Sequence, residues 1–374
     1  MKTRQARTHE QQGFTITELL IAMTIGLVLI TGMISVFVGS KRSAALNSAM
    51  ADMQESARFA LEAISRDARM AGFQGCIDIN SFSAVVRGDD APTDDLFDTV
   101  ATGSVVVSAS NWSPAPLPTF QIPSGSVTAV PGTHTLALQF GSPVDSKLSA
   151  PMFDAINSLA APIPLADNRG GITNGDLAII SNCDVADLFR VTVAPTDAGN
   201  LTHHPTDNSD SGNLSRAYGE DGTLEDTRVM KFNSNVYFVG TSGRTNNQGD
   251  AIRSLYLQSL PYTPANPPTE LVEGIENMRV RFGIRQNNGA MAYFAANESG
   301  YDSSRVEAVQ IGLLMSSYDR IRNENDNQTY VLAGIQIPPS QNIVTDGLSH
   351  PDNQQFRLVF NTTIKIRNRR DKEI

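Results

Sequence analysis

The sequence contains few of the residues on which metal sites, redox centres and nucleophilic enzymes depend. Its 374 residues include only two cysteines and five histidines. A His-Glu-x-x-His motif, a Gly-x-Ser-x-Gly motif, a Walker motif and a Gly-x-Gly-x-x-Gly loop between a strand and a helix are all absent. These absences argue against the motif-bearing hydrolases and nucleotide-binding enzymes, and we expect a protein without catalytic activity and without a cofactor.

The histidines are too dispersed to suggest a metal centre. They are His9, His134, His203, His204 and His350. The adjacent pair His203-His204 is expected to be a solvated part of a loop. The loop that starts at Asp207 has some likeness to a calcium loop, but Tyr218 stands at its twelfth position, where a bidentate glutamate is needed. We therefore predict no metal site.

Positive charge is scarce, since 29 lysines and arginines stand against 39 aspartates and glutamates, for a net charge of -10. Three of the basic residues, Lys2, Arg4 and Arg7, precede the first apolar run, so the body that follows is acidic. An acidic surface repels a phosphate backbone, which disfavours nucleic acid as a partner. The basic cluster between Lys365 and Lys372 fits a solvated strand end and leaves a local nucleic-acid site open.

A long apolar run follows the basic N-terminus. Leu19 to Val38 form a stretch of about 20 residues without a charge, which spans a bilayer at a rise of about 1.5 Å per residue. The run continues into further helical sequence, whereas a secretory signal peptide would end at a small-residue cleavage site. Because the basic residues precede the span, we expect a cytoplasmic N-terminus and a body on the outer side of the inner membrane.

Between the basic leader and the apolar run stands Gly13-Phe14-Thr15-Ile16-Thr17-Glu18, which resembles the processing site of type IV prepilins. The resemblance implies that a prepilin peptidase cuts after Gly13 and that Phe14 becomes N-methylated. It also implies that Glu18 pairs with the terminal amine of a neighbouring subunit and sets the axial register. A carboxylate at the edge of an apolar segment needs such a partner, or it must reach water at the headgroup interface.

The helix is expected to continue beyond the membrane. Apolar residues recur at steps of four and three and predict one buried stripe, formed by Leu46, Met50, Met53, Ala57, Ala60 and Ile64. Charges of alternating sign predict a solvated opposite face, formed by Glu55, Arg58, Glu62 and Arg66. With Gly72 as the cap, we expect one helix over 15–71 that packs on a sheet; a coiled coil is the alternative.

The short apolar runs of the body predict mostly β-strands, each with one buried face. The clearest predicted strands are 278–285, 309–315 and 356–367, followed by 135–140, 176–181, 229–232, 236–239 and 254–257. Segments rich in Pro, Gly, Ser and Asp are expected to be surface loops of one head, at 88–133, 196–225 and 258–268. The predicted fold class is α+β: a type IV pilin fold whose long N-terminal helix packs on an antiparallel β-sheet head with long loops.

Four stretches of the body narrow the resemblance to PilW-like minor pilins and, more distantly, to the J-type pseudopilins of type II secretion. They are Glu55 to Cys76, Gly175 to Phe189, Leu271 to Asn277, and Ile366 to Arg369. The expected organisation is a removed leader (1–13), a membrane and filament-core helix (14–39), its amphipathic continuation (40–71) and a β-rich periplasmic head (72–374).

The two cysteines, Cys76 and Cys183, both fall in the part of the chain expected outside the cytoplasm. Disulfides persist in that compartment, which favours a bridge between them; two free buried thiols are the alternative.

The expected function is structural: a minor pilin of a complex that primes or caps a type IV pilus. The resemblance implies as partners the prepilin peptidase, other minor pilins, the major pilin and the inner-membrane assembly platform. It implies a location in the inner membrane before assembly and at the cell surface afterwards. Two alternatives stay open, a type II secretion pseudopilin and an adhesin or DNA-binding tip pilin.

Overall fold

The computed structural model describes residues 15–77, 84–89, 91, 101–106, 127–154, 157–220, 222–262, 265–296, 298–340 and 347–368. The expected cleavage site at Gly13 and Phe14 therefore lies outside the described residues. The chain forms two compact units, of which the first ends at Ala51 and the second begins at Asp52.

Helix α1 extends from Ile16 to Met70, which agrees with the predicted helix over 15–71. In the first unit its apolar side chains are exposed; Leu27 is 65% and Val36 72% exposed. By length and composition this helix qualifies as a membrane span. Such an apolar surface is unfavourable in water and needs lipid or other helices to cover it.

In the second unit the same helix is amphipathic, as its sequence predicts. Met53, Ala57, Ala60 and Ile64 are buried at 4% exposure or less. Glu55, Arg58, Glu62 and Arg66 are exposed. Leu46 and Met50, which were also predicted to belong to the buried stripe, lie in the first unit and are only partly buried. The burial of the other four residues shows that α1 from Asp52 onward packs within the compact unit, so packing on the head is the correct alternative and a solitary coiled coil is not.

The head is built from strands of very different length. In chain order they are β1 (Val85–Val86), β2 (Ala101–Thr102), β3 (Thr128–Ala129), β4 (Leu136–Lys147), β5 (Ile163–Leu165), β6 (Leu177–Asn182), β7 (Val185–Arg190), β8 (Gly199–Leu201), β9 (Arg228–Thr241), β10 (Ser254–Ser259), β11 (Thr269–Glu273), β12 (Ile275–Arg285), β13 (Met291–Phe294), β14 (Val306–Arg320), β15 (Tyr330–Leu332), β16 (Ile335–Ile337), β17 (Pro339–Ser340), β18 (His350–Pro351) and β19 (Gln355–Lys365). Short 3-10 helices occur at Ser158–Ala160, Asp210–Gly212 and Ser303–Arg305.

The larger sheet is organised around β9. Its order is β1-β7-β6-β9-β10-β11, and β4 also pairs with β9. Pairing is antiparallel except between β1 and β7. The sequence predicted two strands here because Asn233-Ser234-Asn235 interrupt the apolar alternation. The strand continues because these polar side chains have partners: Tyr262 Oη donates to Ser234 Oγ at 2.7 Å, and Asn235 bonds to helix α1.

The smaller sheet has the antiparallel order β13-β12-β14-β19. Apolar residues alternate along its two central strands, as predicted, and one face points into the main core. The opposite face carries Leu314, which packs with Leu332 and Ile337 of the β15–β16 hairpin. Both faces of this sheet are thus covered in part by apolar side chains.

One apolar core joins the buried stripe of α1 to both sheets. Leu138, Tyr237 and Leu255 enter it from the larger sheet, and Val280 and Ile311 enter it from the smaller one. Removal of these side chains from water is the main force that holds the helix in the second unit.

A second core contains residues from a segment that the sequence analysis placed on the surface. Within 196–225, Leu201, Leu214 and Tyr218 are buried. His203 is also buried, and its ring packs edge-on against Phe189 at a centroid distance of 5.4 Å. The prediction of a solvated His203-His204 pair is therefore wrong for His203, because the loop folds inward and the ring nitrogens lie close to the carbonyls of Gly212 and Ala161.

His134 is a buried histidine whose protonation the fold opposes. Its Nδ1 lies 2.9 Å from the carbonyl oxygen of Val280. Burial, followed by the positive charge of Arg279, lowers the pKa of His134 from 6.5 to about 4. Between these two pH values the unfolded chain binds a proton that the folded chain refuses.

We expect this histidine to make the head less stable in mild acid. The pKa of His134 is depressed in the folded state. The contribution of the neutral ring to the free energy of unfolding is therefore complete above pH 6.5 and is lost as the pH falls to about 4. A shift of this size corresponds to about 3 kcal/mol of unfolding free energy. Urea unfolding of the chain in detergent across this range should show a smaller loss for His134→Gln, which cannot bind the proton. Equal losses in the two proteins would contradict the expectation.

Candidate functional site

The first turn of α1 is closed by a reciprocal pair of hydrogen bonds between Thr15 and Glu18. The backbone N–H of Thr15 donates to Glu18 Oε2 at 3.0 Å, and the backbone N–H of Glu18 donates to Thr15 Oγ1 at 3.3 Å. The Thr15 hydroxyl also donates to Oε2, at 2.9 Å. This is a capping box, which satisfies backbone donors that a helix start leaves without partners.

The capping box orients the carboxylate of Glu18, the residue that the prepilin resemblance implies sets the register between subunits. Both bonds from Thr15 reach Oε2, so Oε1 can accept a further donor. Glu18 is therefore held at the helix start by its own chain and is still able to pair with a cation. The sequence analysis did not identify this role of Thr15, although the Thr-x-x-Glu spacing ahead of an apolar run is a signal that could have found it.

The buried carboxylate of Asp67 fastens α1 to the larger sheet. It accepts hydrogen bonds from Tyr237 Oη at 2.6 Å and from Asn235 Nδ2 at 2.7 Å. Burial, and next the charge of Asp67, raise the pKa of the Tyr237 phenol far above its ordinary value, so the hydroxyl remains a donor. A buried carboxylate with two donors fixes the rotation of the helix more closely than apolar packing alone.

The C-terminal end of α1 is held by two distant segments. Asn368 Nδ2 donates to the carbonyl of Met70 at 3.0 Å and to that of Ala71 at 3.2 Å. Gly72 adopts a left-handed φ of 79° and donates its N–H to Gln139 O at 2.8 Å. The last helical carbonyls need such partners, and the end of the described chain supplies them.

A disulfide joins Cys76 to Cys183, with their Cα atoms 4.8 Å apart. Cys76 follows α1, and Cys183 lies in the turn between β6 and β7. Both cysteines are exposed, so the alternative of two free buried thiols is wrong. The bridge ties the exit of the helix to the larger sheet.

An ionic cluster without any signal in the sequence lies in the smaller sheet. Arg357 is fully buried and donates to Glu276 at 2.7 Å and to Asp326 at 3.1 Å. Asp326 also accepts from Tyr330 Oη at 2.8 Å, and Arg322 lies 2.9 Å from it. The cluster connects β19, β12 and the segment that precedes β15.

In the part of the chain that the structure describes, no three His, Cys, Asp or Glu side chains are grouped so that they could hold a metal ion. In those residues, the features that bear on function are the capped start of α1, its exposed apolar surface and the contacts that fix the helix to the head. A long apolar N-terminal helix followed by a mostly antiparallel β-rich head defines an α+β architecture of the pilin kind.

Comparison with known families is consistent with this class. Residues 236–368 match the PilW family, described as type IV pilus-assembly protein W, and residues 8–34 match the prokaryotic N-terminal methylation motif. The two matches support a type IV pilus minor pilin of the PilW family. No curated protein and no solved structure matches the chain significantly.

The matched segments coincide with the structural features described above. The methylation motif contains Gly13, Phe14 and the capping pair Thr15 and Glu18. The PilW match contains the second half of β9, strands β10 and β11, the whole smaller sheet and Asn368, which closes the helix end. Much of the matched body thus packs on, or caps, helix α1.

Proposed function

We propose that this type IV pilin is a minor subunit of the complex that primes or caps the pilus. The capped, exposed apolar helix carries the proposal, because it combines a membrane anchor with a charged group poised at its start. In this proposal the leader 1–13 is removed after Gly13, Phe14 is N-methylated, and residues 14–39 pass from the membrane into the filament core.

Glu18 is proposed to set the register between subunits. An ionised carboxylate inside an apolar bundle costs several kcal/mol unless it meets a cation. The new terminal amine of Phe14 on a neighbouring subunit is a cation of the right kind, and among the described residues the bonds from Thr15 go to Oε2 of Glu18, which leaves Oε1 for it. The pairing would neutralise both charges as the helices assemble.

The head supports a low-abundance position. Within its described residues, the compact unit from Asp52 onward contains a nine-stranded sheet, a four-stranded sheet and three two-stranded sheets, and a head of this size would crowd a thin fibre if every subunit carried it. The proposed partners are the prepilin peptidase, the other minor pilins, the major pilin and the inner-membrane assembly platform.

We expect Glu18→Ala to abolish complementation of a strain from which the gene has been deleted. Surface pili would be counted by electron microscopy, and protein secretion and DNA uptake would be scored separately. Glu55→Gln, on the exposed face of the same helix, is the matched control and should complement fully. Normal piliation with Glu18→Ala would contradict the register role, and a deletion phenotype confined to secretion would favour a type II secretion pseudopilin.

A further inference from the structure

An open groove follows the exposed side of α1 in the second unit. Helix residues from Gln54 to Met70 form its wall. Side chains of both sheets face the helix, among them Leu257 and Leu271 of the larger sheet and Phe360 of the smaller one. The groove is therefore open along about 24 Å of helix, at a rise of about 1.5 Å per residue.

The floor of the groove is apolar. Phe59 is 56% exposed, although it belongs to the compact unit. Leu61, Met70, Phe73 and Leu257 are only partly buried and also line the groove. Neighbouring apolar side chains left open in this way are typical of a surface that binds another protein.

The rim of the groove is basic on an otherwise acidic protein. Its charged residues are Arg58, Glu62, Arg66, Arg69 and Arg367, which gives four positive charges against one negative. Within the described residues, Arg58, Arg69 and Arg367 make no ion pair. Arg66 lies 3.5 Å from Asp67, whose carboxylate already accepts two hydrogen bonds from the sheet.

We propose that this groove binds an acidic amphipathic helix of another pilus subunit. The rim requires carboxylates, and the apolar floor requires Leu-like side chains on the same ligand. A nucleic-acid backbone would meet the arginines and leave the floor open to water. The straight course along α1 matches a helix of about 16 residues. The proposal rests on the proposed function for the identity of the partner as a pilus protein.

The test is site-specific photocrosslinking with the full chain in cells that assemble pili. A benzophenone amino acid replaces Phe59, and the crosslinked peptide is identified by mass spectrometry. We expect an acidic helix of a pilus subunit. Arg58→Glu with Arg69→Glu should reduce the product about tenfold, as loss of complementary charge does at an interface. Replacing two of the partner's carboxylates by lysine should restore it.

The control is Arg169→Glu, an exposed arginine outside the groove whose replacement should leave the crosslink unchanged. The proposal would be overturned if no crosslink formed. It would also be overturned by a crosslink formed only with lipid, nucleic acid, a second copy of this chain, a segment without net negative charge or a protein outside the pilus. A crosslink that persists in the charge-reversed variant would overturn it too. A separate result contradicts the proposed function itself: piliation that is unchanged after deletion of the gene.

Discussion

Replacing Arg357 by methionine is expected to lower the free energy of unfolding by about 3–5 kcal/mol, because it leaves two carboxylates without their shared cation in the interior. Arg357 and Asp326 have fully buried side chains, and that of Glu276 is only 7% exposed. The measurement is urea unfolding followed by circular dichroism in detergent.

Two further variants show whether the loss comes from the unpaired charges. Arg169→Met removes an arginine that is 77% exposed and should change the stability by no more than about 0.5 kcal/mol. Combining Arg357→Met with Glu276→Gln and Asp326→Asn removes the buried charges and should recover part of the loss. A loss below 1 kcal/mol for Arg357→Met alone would mean that the cluster is solvated, in disagreement with the structure.

Removing the disulfide is the other change with a large expected effect. Cys76 and Cys183 are separated by 107 residues, so the bridge restricts the unfolded chain strongly. The chain-entropy model gives about 4 to 5 kcal/mol for a loop of this length. The double variant Cys76→Ser, Cys183→Ser should therefore unfold at a lower urea concentration, and packing should change little because both cysteines are exposed.

The reduced wild-type chain is the internal control for this experiment. It should unfold at the same urea concentration as the double variant, since both lack the bridge. If oxidised wild type and double variant unfold together, the bridge does not contribute to stability and the predicted effect is wrong.

Regular periodicity is the part of the fold that could be predicted from the sequence. Helix α1 is observed at Ile16–Met70 against an expected 15–71, because a heptad-like stripe and a glycine cap are local signals. Strands β12, β14 and β19 were found through their strict apolar alternation. The disulfide followed from the expected compartment of both cysteines.

Contacts between residues that are distant in sequence could not be predicted. The bonds from Asn235 and Tyr237 to Asp67 span 168 and 170 residues, and each residue alone looks like an ordinary polar residue. The same applies to Arg357, which was placed in a predicted strand without any sign of its buried partners. His203 was misplaced for a related reason, since a polar, glycine-rich segment gives no local indication that it folds into a core.

Some features of the candidate site could likewise be predicted from the sequence, and others could not. Gly13, Phe14 and Glu18 were recognised from a contiguous motif, and the matched methylation motif contains all three. The capping role of Thr15 was missed although its signal was present. The groove beside Phe59 had no signal, because its rim joins residues of the helix to Arg367, about three hundred positions later.

Mass spectrometry of sheared filaments tests the central claim most directly. The claim is that this chain is processed as a prepilin and enters the pilus as a minor subunit. We predict a peptide that begins at N-methylated Phe14, present in far smaller amount than the major pilin. A chain that retains the residues before Phe14, or that is found in the inner membrane and never in the filaments, would contradict it.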